Sequence, residues 1–156
     1  MLIIETEIKK SPIHGMGLFT SLALKKGQII WVLHKNCDAI ISLHEWQMLI
    51  KPAQDYLATY MYWSTKKKKY VACLDNGRFM NHADNPNTKT AFFNSLLDIP
   101  PDILETTRMS SLQWEMVDIS EGFTVALSDI KAGEELTSNY DIDFPDEGGL
   151  QRPFLE

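Results

Sequence analysis

Three short stretches of the chain hold most of its chemically capable residues. They are Gly15-Met16-Gly17, the block Arg78-Phe79-Met80-Asn81-His82-Ala83-Asp84-Asn85-Pro86-Asn87, and the block Gly133-Glu134-Glu135-Leu136-Thr137-Ser138-Asn139-Tyr140-Asp141. Two glycines flanking one residue let a backbone come close to a ligand and adopt conformations closed to other residues. An amide beside an imidazole, as in Asn81-His82, is costly to bury unless each polar atom finds a partner. A phenol such as Tyr140 can orient a nucleophile by hydrogen bonding, and its oxygen can make weak C–H···O contacts. Taken singly, each has a plainer reading: a turn, a polar surface loop and an edge-strand aromatic. Gly15-Met16-Gly17 is not a dinucleotide fingerprint, because no third glycine, helix or βαβ unit follows at the needed distance.

Other chemistries find less support. The four histidines, His14, His34, His44 and His82, lack metal-ligand spacing, so no metal is expected. Cys37 and Cys73 sit among apolar neighbours and read as free thiols. No nucleophile–histidine signature is recognisable. With 15 Lys and Arg against 21 Asp and Glu, the net charge of -6 argues against nucleic acid as a partner and suits a basic peptide. The run Lys66 to Lys69 then reads as a solvated turn. No apolar stretch approaches the roughly 20 residues that span a bilayer, and Met1-Leu2-Ile3-Ile4-Glu5 lacks a signal-peptide layout. The expectation is an intracellular protein without membrane contact, cytoplasmic or, in a eukaryote, nuclear.

The elements that must position these residues read as short strands between turn signals, within one domain whose 44% apolar content can fill a single core. Leu2 to Lys9 alternates as a strand, broken at His14 to Gly17 and resumed at Leu18 to Thr20. Leu22 to Val32 reads as a turn running into a buried strand. Ser42 and Glu45 form a capping box that opens a helix through Leu49, and Pro52 is expected to end it. Thr59 to Trp63 and Tyr70 to Leu74 make a hairpin closed by the lysine run. Thr90 to Asn94, Gln113 to Ile119 and Phe123 to Leu127 read as further strands, with a loop over Ile99 to Thr107. The sum is a mainly β (β-rich α+β) fold with one or two short helices.

In order and approximate spacing, the three stretches together resemble the signatures of SET-domain protein-lysine methyltransferases over about residues 13 to 144. The resemblance implies a SET fold of several small sheets with a pseudoknot-like C-terminal crossing to which Arg78 to Asn87 belongs. It implies a SET domain over 1–144 and a short tail over 145–156 that covers the cofactor site. It implies S-adenosyl-L-methionine as cofactor, bound by Gly15, Met16, Gly17, Arg78, Asn81, His82 and Tyr140, with tail aromatic Phe144 or Phe154 lying over it. Tyr140 would be catalytic, and Tyr70 and Ser138 would line the substrate channel. Ser138 stands where the family commonly has Phe or Tyr, and Ala83-Asp84 where Ser-Cys is often seen; without a cysteine-rich flank, zinc is not expected. The reaction implied is in-line methyl transfer to the ε-amine of a lysine in a basic protein, histone or otherwise. A catalytically inactive SET-fold module that binds peptides is the alternative.

Overall fold

The computed structural model describes residues 1–107 and 109–144. Among them, ten short strands form four small sheets, with five short α-helices between them. The first sheet is the hairpin of β1 (Thr6–Lys10) and β2 (Met16–Thr20), antiparallel from Lys10 opposite Met16 to Thr6 opposite Thr20. The turn between them carries the first glycine-rich stretch. Leu18 of β2 is fully buried with Leu24, Ile30, Ala126, Ile130 and Leu136, which anchors the hairpin to the body.

Strand β3 (Ile29–Trp31) lies in a second sheet, and β4 (Asp38–Ile41) begins a third. Ser42 caps α1 (Leu43–Met48), with Glu45 returning to the Ser42 N–H as the capping box requires. Pro52 does not end this helix. It falls in the first turn of a second one, α2 (Lys51–Ala58), where a missing N–H costs nothing. The expected hairpin follows as β5 (Met61–Ser64) and β6 (Lys69–Cys73), paired Ser64 to Lys69 through Met61 to Ala72. Strand β6 is central, between β4 and β5, and Tyr70 to Cys73 is buried throughout.

Next comes the two-residue strand β7 (Asn81–His82), reached from a short 3-10 helix over Asn76–Phe79. Strand β8 (Thr88–Ala91) starts earlier than Thr90 and ends before Asn94. Ile99 to Thr107 is not a loop throughout, because Pro101 opens α3 (Pro101–Thr107). Gln113 to Ile119 is not a strand: Ser110 and Gln113 form a second capping box, which opens α4 (Ser111–Glu115). Strand β9 (Phe123–Ala126) is wholly buried and central between β3 and β8. Ile29, Val32, Ile99, Val117, Phe123 and Val125 make the core on this side. Strand β10 (Thr137–Ser138) pairs parallel with β7, and α5 (Tyr140–Asp143) follows at once. The 145–156 tail, with Phe154, lies outside the described residues.

Cys73 is buried, Cys37 half-buried, and both are free thiols. Burial, followed by the Asp75 charge and the Sγ hydrogen bond to Asp75, pushes the Cys73 thiol far above its ordinary range. No helix among the described residues is long and apolar enough to cross a membrane.

The β5–β6 turn is tied to the rest of the molecule. Lys66, Lys68 and Lys69 are exposed, whereas Lys67 donates to Asp118 at 2.6 Å and to Ser120 at 3.2 Å. Burial raises the Asp118 carboxyl, but hydrogen bonds from Lys67 and Ser120 and the Lys67 charge outweigh it and hold the group below the usual carboxylate range. A depressed folded value adds stability above the unfolded pKa of about 3.9 and loses it as pH falls through the folded value. In thermal unfolding, Asp118→Asn should therefore be less stable than the parent by about 0.5–1 kcal/mol at pH 6. The two should converge as the pH falls below 3.

Candidate functional site

The parallel pairing sets Thr137 beside Asn81 and Ser138 beside His82, so two stretches distant in sequence become neighbours. Asn87 reinforces the join: its Oδ1 accepts from the Thr137 N–H at 2.9 Å, and its Nδ2 donates to the Glu135 carbonyl at 2.7 Å. Asn139 then caps α5, accepting from Asp141 and Ile142, which makes Tyr140 the first helical residue. The Tyr140 N–H donates to His82 Nδ1 at 3.1 Å, with the two rings edge to face at 5.4 Å. An accepting Nδ1 places the proton of neutral His82 on Nε2. The Tyr140 hydroxyl donates to the Met80 carbonyl. Its proton is thereby directed at the backbone.

Asn81 holds the glycine-rich turn. Its Nδ2 lies 3.1 Å from the His14 carbonyl, 3.2 Å from the Met16 carbonyl and 2.8 Å from Glu135 Oε1. Ser11 Oγ donates to the other Glu135 oxygen at 2.9 Å. The carboxylate is packed so closely on Gly17 that a Cβ there would lie 2.1 Å from Oε1. Gly17 is thus required by the Glu135 side chain, and Asn81 is occupied as a clamp. Glu135 had no distinguishing mark in the sequence, being one of two adjacent glutamates before Leu136.

Three neighbouring hollows lie at and beside Tyr140, which lines two of them. A hollow of about 430 Å³ is lined by the Gly15-Met16 turn, Tyr60, Arg78, His82 and Tyr140. A tighter cavity of about 110 Å³ shares Thr59, Tyr60, Arg78 and Tyr140 with it and is walled by Trp31, Tyr62, Met80, Ser138 and Phe144. An outer groove of about 330 Å³ shares Trp31, Tyr62, Thr124 and Phe144 with that cavity. The middle cavity is the smallest of the three and shares walls with both wider spaces. Tyr140 stands at one mouth and Phe144, which donates its N–H to the Tyr140 carbonyl at 2.9 Å, at the other.

The structure gathers Gly15, Met16, Arg78, Asn81, His82, Ser138 and Tyr140 around these spaces. Arg78 rests its guanidinium on Tyr60 and Phe79, 5.4 and 5.0 Å from the ring centroids, and its buried Nε has no partner among the described residues. Ser138 is buried and lies 2.9 Å from both Thr88 Oγ1 and Met80 Sδ. Tyr70 is not at a channel wall, and Phe144 faces the groove. Tyr70 packs between Trp46 and Trp63 in the core, and Tyr62 lines the constriction instead. Phe144 stacks on Tyr62 at 4.7 Å on the groove side, away from the glycine-lined hollow. Burial, then the Glu121 charge, holds the Tyr62 phenol protonated well above its ordinary range.

The family model for the SET domain matches residues 15–141. Histone-lysine N-methyltransferase NSD3 of Mus musculus is 30% identical over 146 residues, 89% of this chain and 8% of its own. The H3 lysine-36 specific histone-lysine N-methyltransferase of Homo sapiens is 30% identical over 145 residues, 89% of this chain and 4% of its own. The chain thus spans under a tenth of these relatives. Among solved structures, a Plasmodium falciparum protein provisionally assigned as a histone methyltransferase superposes with TM-score 0.55 at 20% identity, over 88% of this chain and 93% of that one. A humanized mutant of the Chaetomium thermophilum Polycomb Repressive Complex 2 gives 0.58 at 20% identity, over 96% and 16%. At such identities these structures speak to the fold.

The Gly17–Glu135 contact can be tested directly. Gly17→Ala should displace the carboxylate, loosen Asn81 and lower stability by about 1–3 kcal/mol in urea unfolding.

Proposed function

The chain belongs to the SET-domain family, and from that premise we propose that it is an S-adenosyl-L-methionine-dependent methyltransferase acting on the ε-amine of a protein lysine. The observation that carries this reading is the tight cavity at Tyr140, the constriction, which shares walls with a hollow of glycine-rich lining on one side and with an aromatic groove on the other. The first hollow suits the cofactor. It offers close backbone at Gly15-Met16, the rings of Tyr60 and Phe79, and an Arg78 Nε that lacks an acceptor among the described residues. Gly15, Met16, Arg78 and His82 would hold it, with Gly17 and Asn81 shaping the turn. Residues 1–144 act as the SET domain.

When bound, S-adenosyl-L-methionine supplies an electrophilic methyl group. The residues of the chain supply position and environment. A lysine entering from the groove passes Tyr62 and Phe144 into a cavity walled by Trp31, Met61 and Met80, which disfavours an ammonium. Deprotonating a free lysine at pH 7 costs about 4–5 kcal/mol, so this environment bears directly on rate. With its proton directed at the Met80 carbonyl, the Tyr140 hydroxyl oxygen would accept a hydrogen bond from the incoming amine and so orient it toward the cofactor side. The partner is a basic, lysine-bearing segment such as a histone tail, laid along the groove, which places the protein in the nucleus or cytoplasm.

Heavy-methyl cofactor and a lysine-peptide library should yield labelled peptide, read by mass spectrometry. Tyr140→Phe should lose about a hundredfold in kcat while keeping cofactor binding by calorimetry. Undiminished labelling by Tyr140→Phe, or none by the parent, refutes the assignment. Because the neutral amine attacks and Tyr62 stays protonated, kcat/KM should climb from pH 7 to 9 without a falling limb from that phenol.

A further inference from the structure

Glu121, just before β9, is a carboxylate with only 7% of the residue exposed. Its Oε2 accepts from Ser64 Oγ at 2.7 Å, and among the described residues no cation pairs with it. A buried carboxyl group whose partner among the described residues is one neutral hydroxyl is costly for folding alone, which points to a partner supplied from outside. Glu121 lines the outer groove together with Tyr62.

Beside it the groove offers an aromatic seat. Phe92 is 59% exposed, and a Cβ at Gly122 would lie 3.0 Å from its ring, so the ring lies against the backbone next to Glu121. The chain's own Lys66 ammonium already rests over that ring, 4.2 Å from the centroid, which shows the seat accommodates a cation. Asp143, anchored by the Thr90 N–H at 2.7 Å, adds a second carboxylate to the groove. Trp31, buried and shared with the constriction, has an indole N–H without an acceptor among the described residues, which a peptide carbonyl would satisfy.

From these observations we infer that the groove contains a second subsite, which takes the guanidinium of an arginine close to the target lysine, between Glu121 and the Phe92 ring. The inference rests on the lysine-methyltransferase reading for the identity of the peptide. Tyr140 does not line this groove, so its occupant is a neighbouring side chain and not the methyl acceptor. The shared walls Tyr62 and Phe144 keep the two side chains within a few residues, at about 3.3 Å per extended residue. A planar guanidinium suits the site better than an ammonium, since it can stack on the ring while donating to the carboxylate.

The test uses the full chain and a neutral lysine peptide, with arginine or uncharged citrulline placed at each position from three before to three after the lysine. Binding is read by fluorescence anisotropy and turnover by mass spectrometry. In at least one register the parent should favour arginine about tenfold in Kd and KM, and Glu121→Gln, which keeps an acceptor for Ser64, should bring that ratio near one. Lys66→Met, on the exposed turn, should widen the ratio several-fold by removing the resident cation. A parent ratio near one in every register, a ratio unchanged in a folded Glu121→Gln, or no widening in Lys66→Met overturns the subsite. If the parent methylates no peptide, the methyltransferase reading fails by itself, and the anisotropy ratios still decide the subsite.

Discussion

Two residues of parallel strand, Asn81-His82 beside Thr137-Ser138, hold together everything that gives this molecule its chemistry. Alone, so short a ladder could not persist, because two rungs do not offset the entropy of closing a loop of more than fifty residues. It persists because side chains on both sides finish the work. Asn87 completes the backbone bonding of the incoming segment, and Asn81 reaches across to Glu135 and the glycine-rich turn. The third stretch is thereby fastened to the first two, and the phenol, imidazole and turn are placed by one network.

That network explains which residues were readable in advance. Asn81, His82 and Tyr140 stand out because amide, imidazole and phenol in ordered blocks serve polar contacts, and the structure shows each making them. Glu135 was opaque because its importance lies in pressing on Gly17, a contact between residues far apart in the chain. Tyr70 read as a channel residue from its place just before the Asn81 block, but it is 2% exposed and enclosed by Trp46 and Trp63, whereas Tyr62 on the neighbouring strand reaches the cavity. Sequence names the aromatics of a hairpin but not which face of the sheet meets the ligand.

Secondary structure divides along a similar line. The capping box at Ser42 was legible, and the same signal at Ser110 was masked by apolar alternation from Gln113 to Ile119. Pro52 and Pro101 both sit in first turns, although a proline is more readily taken as the end of a helix than its start. The buried strands β6 and β9 were plain, since a short apolar run has few other places to go.

Helix α5 has only four residues, yet Tyr140 begins it and Phe144 closes it, and both are set by the Asn139 cap. The chemical end and the entrance of the passage therefore ride on a single rigid lever. A change that re-angles this lever to admit a different guest also displaces the phenol, so under the proposed function selectivity and turnover would be geared to each other and could not drift apart one substitution at a time.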